Sequence, residues 1–309
     1  MSNPFTEGYS HYEPPDAAGV DCDAMRPIEQ HARHLEHVMD QLRFQGDWLA
    51  CERGEAEAEW ERIRQWLGML AGLRYVDVVP WDNRYWGLCE RAEAYDDEKN
   101  DIVTDMATEE TRLLYAWGAI ERLMKALKLP PVPDKRADKP YNRASLVITK
   151  AFPPERALPH YSHVLRHLKD HVARDYGLAA DRALRRAGEE RPWRSENAQL
   201  LSLGKAMRNI PAHGESAYPE PTDWNESNGP RRRRLHPAAH APRLATRGLL
   251  LSLQQLLAAT TEMAPGAEFE AEEFGWWVQS TDGSWRRVEE PRLTDLLRSA
   301  HLQPPDDDD

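Results

Sequence analysis

The segment Arg208-Asn209-Ile210-Pro211-Ala212-His213-Gly214 gathers an arginine, an amide and a histidine just ahead of a long apolar stretch. These residue types suit cleavage of a ribose phosphodiester. An imidazole can take the proton from a 2′-hydroxyl, and a guanidinium can hold the charge that builds on the phosphate oxygens during in-line attack. Neither step requires a metal or an organic cofactor, so none is expected.

Spacing decides whether the two groups can meet. At about 100° per residue, side chains five positions apart stand roughly 140° from each other on an unbroken helix. Pro211 cannot continue the hydrogen-bond ladder and disfavours the α region for Ile210, which predicts a helix end at Asn209 or Ile210. His213 would then lie in a turn beside the helix end, next to Gly214, a natural turn residue. An arginine followed at similar distance by a histidine recurs at Arg26 and His31, Arg166 and His171, and Arg231 and His236, in a chain with 12 His. Only the copy at 208 to 213 adds the asparagine, the helix stop, the glycine and a following helix almost free of charge. The competing structural role is an arginine on helix-end carbonyls and a histidine that holds a turn.

The stretch Ala206-Met207-Arg208-Asn209-Ile210-Pro211-Ala212-His213-Gly214, with Thr246 to Met263 behind it, resembles the terminal half of a HEPN domain. The run from Leu113 to Leu127 is similar to the early helix of that family, which packs against the motif helix. The resemblance covers roughly Thr104 to Met263. It implies an all-α bundle acting as a homodimer with a composite active site, and metal-independent endoribonuclease activity of the kind found in toxin and antiphage systems. Arg208 and His213 would be catalytic, Asn209 supporting, and the products would carry a 2′,3′-cyclic phosphate and a 5′-hydroxyl. An antitoxin or other regulatory partner would restrain it.

The elements that would position this motif are helical by periodicity. Ile28 to Ala50 carries a stripe through Leu35, Val38, Met39, Leu42 and Trp48, and Glu55 to Leu73 another through Trp60, Ile63, Trp66, Leu67 and Leu70, predicting a helical hairpin. Tyr75 to Trp81 is a short β-branched segment, followed by a helical stretch from Arg84 to Ala94. Asp101 to Leu127 is the strongest helix, with one apolar seam at Leu113, Trp117, Ile120, Met124 and Leu127. Lys135 to Ala157 reads as a charged, proline-flanked connection. Helices are predicted over His160 to Tyr176 and Leu178 to Ala187, and the motif helix over Trp193 to Asn209, capped near Ser195 and Glu196. Ala217 to Pro242 is a long loop. Phe274 to Ser280 and Trp285 to Val288 predict a β-hairpin on Asp282-Gly283, with a short helix near Leu293 to Ala300.

The expected architecture is therefore all-α, a HEPN-like helical bundle with an N-terminal helical extension and a small C-terminal β-hairpin. Residues 1–26 form a flexible arm, 27–98 the N-terminal helical region, 99–265 the bundle, and 266–309 the hairpin, short helix and acidic tail. At 309 residues and 40% hydrophobic, the chain can bury a large core. A formal net charge of -12 argues against a general nucleic-acid coat, so RNA must meet a local patch. Arg231, Arg232, Arg233 and Arg234 supply one; they either contact phosphates or are a solvated loop. Three cysteines without ligand spacing imply reduced thiols in the cytoplasm, and no secretory signal or membrane span is expected.

Other groups carry two readings each. His160, His163, His167 and His171 share one helical face and either bind a transition metal or form a solvated polar face. His31, His34 and His37 pose the same choice. Glu121 either orients the motif or pairs with Lys125. Trp60, Trp66 and Trp117 belong to the core, whereas Trp276, Trp277 and Trp285 are candidates for a partner or substrate surface. The alternative to a nuclease is a non-catalytic helical scaffold that binds RNA or a regulatory protein.

Overall fold

The computed structural model describes residues 22–42, 53–78, 90–127, 129–189, 191–212, 219–220, 235–262, 276–280, 282–288 and 291–305. In chain order these form α1 (Ile28–Leu42), α2 (Arg53–Gly72), α3 (Glu90–Ala126), α4 (Pro140–Ala151), α5 (Tyr161–Asp175), α6 (Gly177–Gly188), α7 (Gln199–Ala212) and α8 (His240–Glu262). The antiparallel strands β1 (Trp276–Gln279) and β2 (Trp285–Val288) and the helix α9 (Leu293–Ser299) follow. The protein is mostly helical with a small C-terminal hairpin. No helix among the described residues is long and apolar enough to cross a membrane.

Positions 241 to 260 of α8 are buried without a break. A helix covered on every side belongs at the centre of a bundle, and α1, α3, α4, α5, α7 and α9 all pack on α8. Its leucines join one core that extends from Met25 to Ala300. The predicted α3 seam lies in the same core: Leu113, Trp117, Ile120, Met124 and Leu127 are all buried. Hydroxyls along α8 are satisfied within the helix, Thr246 donating to the Pro242 carbonyl at 2.9 Å and Ser252 to that of Gly248 at 2.8 Å. Left unbonded, such groups would destabilise a buried helix.

The longer polar side chains of α8 reach outward. Gln254 accepts from His31 Nε2 of α1 at 2.9 Å, donates to the Leu297 carbonyl of α9, and lies 3.0 Å from His301 Nδ1. His301 Nε2 in turn donates to the Pro159 carbonyl at 2.9 Å. This chain of donors and acceptors closes with both imidazoles neutral and protonated on Nε2, which leaves His31 Nδ1 to accept from Arg247 at 3.4 Å. Arg247 also donates to the Arg26 carbonyl at 2.5 Å. Burial, with the Arg247 guanidinium nearby, holds His31 well below its ordinary range and drives His301 down to about 3.

Several elements depart from the sequence expectations. The helical stretch over 84–94 and the helix starting at Asp101 are, from Glu90 onward, one helix, because the intervening Asp96-Asp97-Glu98-Lys99-Asn100 lacks apolar periodicity but contains no helix breaker. The proline-flanked connection contains α4: Pro140 sits in the first turn, where a missing N–H costs nothing, and Ala144 to Ile148 are buried. No strand forms over residues 73–78. There Thr108 accepts the Val76 N–H at 2.8 Å, and Arg112 takes the carbonyls of Leu73 and Arg74. The predicted loop ends before Pro242, since α8 begins at His240 and its first turn accommodates proline.

Close approach of α7 to α8 depends on Gly204. A Cβ built there would stand 2.5 Å from the Leu249 Cδ2. Gly204→Ala is expected to cost about 1–3 kcal/mol by overpacking, whereas Gly72→Ala, with nothing within 4 Å, should be neutral or stabilising by up to about 1 kcal/mol. Urea unfolding of the two variants checks this.

The buried histidines set an acid limit. Below about pH 6.5 the unfolded chain takes up protons on imidazole, while His301 in the fold does so only near 3. The unfolded state therefore binds more protons in this window, and stability must fall as pH is lowered, by up to about 1.4 kcal/mol per pH unit for each such histidine. Urea midpoints between pH 7 and pH 5 should decline steadily, and His301→Gln should decline less steeply; equal slopes would contradict the neutral assignment.

Candidate active site

The motif residues ride on α7, which buries Leu200, Leu201, Leu203, Met207 and Ile210 against the core. This helix starts later and ends later than predicted. Trp193 lies in a tight turn bridged between Arg191 and Arg194, and a short 3₁₀ turn at Glu196–Ala198 precedes Gln199. Ser195 supplies no side-chain cap; its N–H is held instead by Thr149 Oγ1 of α4 at 2.9 Å. Pro211 does not stop the helix but sits inside its last turn, which runs to Ala212. One ladder bond is lost there, and the burial of Met207 and Ile210 holds the turn in place.

Arg208 is half-buried on α7 and points toward α3. Its guanidinium carbon lies 6.0 Å from the ring centroid of Trp117. One terminal nitrogen donates to the Asn209 side-chain oxygen at 3.0 Å. The Nε–H is buried and meets no acceptor among the described residues. Asn209 is thus a direct hydrogen-bond partner of the arginine. Both partners of the guanidinium are electrically neutral, so its charge is stabilised by an aromatic face and an amide dipole.

Several other arginines meet carboxylates among the described residues. Arg112 and Arg243 converge on Glu109, at 2.5 and 3.0 Å, and Arg112 also meets Glu29 at 2.6 Å. Arg143 makes a two-pronged pair with Asp138, both bonds at 2.6 Å, and Arg174 pairs with Asp175 at 2.8 Å. Arg208 has no ion pair among the described residues, and it has N–H donors to spare. A phosphate oxygen is the kind of anion such a group takes.

His213 lies outside the described residues, as do Arg231, Arg232, Arg233 and Arg234. Between the motif and the arginine run, Glu220 is held on α3 by Lys99, at 2.6 Å, and by the Tyr95 hydroxyl. Glu121 forms neither of its expected contacts among the described residues, bonding neither to Arg208 nor to Lys125.

The histidine rows are divided among different neighbours. His160 caps α5 in the left-handed region, with φ 57°, and the rings of His163 and His167 lie 4.4 Å apart. His171 is buried, bonds to Arg174 and packs against His240 of α8 with ring centroids 5.0 Å apart. His34 and His37 flank Trp276, at 5.7 and 5.0 Å, while His31 belongs to the α8 network. Among the described residues, no group of three or more His, Cys, Asp or Glu is placed to hold a metal ion.

Three further groups carry shifts the sequence did not suggest. Burial lowers His240 to about 4 and raises the Glu110 carboxyl to about 6, and the neighbouring Tyr176 phenol is lifted above its ordinary range. A carboxyl titrating near neutrality is suited to proton transfer. In the sequence Glu110 is one of two adjacent glutamates on a helix, and only packing separates it from Glu109.

No family model matches this chain, and neither a curated protein nor a solved structure does.

The contrast between the arginines has a measurable consequence. Glu109→Gln leaves buried guanidinium charge uncompensated and should cost about 3–5 kcal/mol. Arg208→Gln removes a cation with no anionic partner and should change stability by no more than about 1 kcal/mol. A loss of several kcal/mol from Arg208→Gln would make that side chain a strut of the fold.

Proposed function

We propose that the protein is a metal-independent endoribonuclease of the HEPN type, its bundle the HEPN-like domain, acting in the cytoplasm as a toxin or antiphage effector. The supporting observation is Arg208: a half-buried guanidinium, oriented by Asn209 and Trp117, with no carboxylate upon it among the described residues. Burying a cation without a counter-charge is unfavourable unless an anion arrives, and a phosphodiester supplies one.

In this mechanism His213 removes the 2′-hydroxyl proton as general base and returns a proton to the leaving 5′-oxygen. Arg208 stabilises the equatorial oxygens of the phosphorane, and Asn209 keeps the guanidinium aligned. The 2′-oxygen forms its bond to phosphorus as the 5′-oxygen departs, leaving a 2′,3′-cyclic phosphate and a 5′-hydroxyl. Arg231, Arg232, Arg233 and Arg234 hold flanking phosphates without reading sequence. Two copies form the composite cleft, and an antitoxin or regulatory partner limits the damage.

RNA cleavage in EDTA tests this with wild type beside His213→Ala and Arg208→Ala. Chelator-resistant cleavage is expected, falling by about 10²–10⁴-fold without the histidine and about 10²–10³-fold without the arginine. Product termini should be the cyclic phosphate and the free 5′-hydroxyl. Absence of cleavage on varied RNAs would leave a helical scaffold that binds RNA or a regulatory protein.

A further inference from the structure

One turn before Arg208 on α7, Lys205 is half-buried and leans toward α4. Its ammonium lies 3.1 Å from the ring centroid of Tyr141. Arg208 meets the indole of Trp117 on α3 in a similar way, and α3 packs on α4. Positions three apart are neighbours on a helix surface, with about 5–6 Å between their Cβ atoms. The last turns of α7 therefore carry two successive cations, each against an aromatic ring.

Lys205 stands among further cations. Arg194, in the turn that leads into α7, is half-buried. One terminal nitrogen donates to the Arg186 carbonyl at the end of α6, the other to the Asn142 side-chain oxygen at 3.4 Å. Asn142 is set for this by its own donation to the Ala137 carbonyl at 2.6 Å. Both acceptors of the guanidinium are neutral, and a group with five N–H donors keeps others to offer. Burial, with the charges of Arg194 and Arg186 nearby, holds the Lys205 ammonium below its ordinary range. Glu189, within electrostatic reach of Arg194, accepts from Arg191 at 2.7 Å. An arriving anion relieves both the burial of charge and the crowding of like charges.

We infer that Lys205 and Arg194, with Arg186 at the rim, form a subsite for a backbone phosphate of single-stranded RNA, next to the phosphate that Arg208 holds. A lone anion would need only one of the two positions on α7, whereas a strand can use both. An ammonium and a guanidinium on phosphate oxygens fix the position of the strand without reading its sequence. The subsite deepens the nuclease reading and rests on it for its purpose, which is to hold the strand in register while the adjacent phosphate reacts.

Binding is measured without turnover in full-length His213→Ala protein, by anisotropy of a fluorescein-labelled oligouridylate over a series of salt concentrations. Lys205→Gln and Arg194→Gln should each raise Kd about tenfold. Each should also lower the steepness of log K against log salt by about 0.7, one phosphate contact on a single strand. A role confined to packing on Tyr141 would not move that slope, and Lys205→Arg should restore most of the affinity. Arg186→Gln, at an exposed position, should shift affinity and slope in the same direction, and it carries the test if a half-buried variant does not fold. Unchanged affinity and slope in folded variants would overturn the subsite. So would inorganic phosphate that protects wild type from heat but not Lys205→Gln, with RNA affinity unaltered, because that marks a site for a small anion. Lys205-dependent binding with no cleavage by wild type would retain the subsite and remove the nuclease; Arg208-dependent cleavage with RNA binding indifferent to Lys205 and Arg194 would do the reverse.

Discussion

A helix buried on all sides must find a partner for every polar group it carries, and in this protein α8 imposes that constraint on its neighbours. Arg243 needs Glu109 of α3; Gln254 needs His31 of α1 and the end of α9; Arg247 needs the Arg26 carbonyl. Apolar surfaces can slide past each other at little cost, whereas a displaced buried hydrogen bond forfeits its full desolvation energy. These polar layers therefore fix the register of the surrounding helices, and the leucine packing fills the space between them. Glu109 lies at the junction, since it also compensates Arg112, which in turn ties the end of α2 and Glu29 of α1 to α3.

Among the described residues no carboxylate meets Arg208. It belongs to a helix held close to α8 by Gly204, yet its own charge faces an indole and an amide. Trp117, behind it, is fixed in the α3 seam. The guanidinium is thus pre-oriented by groups that the core holds rigid, which reduces the entropy lost when an anion binds. An arginine held only for stability would gain more from a carboxylate, as Arg143 does from Asp138.

What could be read from the sequence follows a physical division. The α3 seam and the hairpin on Asp282-Gly283 depend on local periodicity and turn chemistry, and they are where the sequence places them. The polar layers depend on residues as distant as His31 and Gln254, which no local pattern connects. The histidine rows show the limit of spacing as a guide: one helical face guarantees a common direction but not a common neighbour, and His171 turns to His240 while His163 turns to His167. Proline misled in both directions. Pro140 starts a helix and Pro211 rides within the last turn of another, because in terminal turns tertiary burial outweighs one missing hydrogen bond. The hydrogen bond between Arg208 and Asn209 was not legible, nor was the lack of a carboxylate on that arginine among the described residues, because both depend on how the side chains pack.

On the proposed function, an acidic protein must gain its affinity for RNA at short range. With a net charge of -12, long-range attraction to a polyanion is unfavourable, and phosphate contacts alone would be lost quickly as salt rises. A half-buried guanidinium set on α7 by an amide and an indole then reserves its charge for the phosphate that reacts. This predicts a strong dependence of turnover on one arginine, the opposite of a basic coat that binds tightly and indiscriminately.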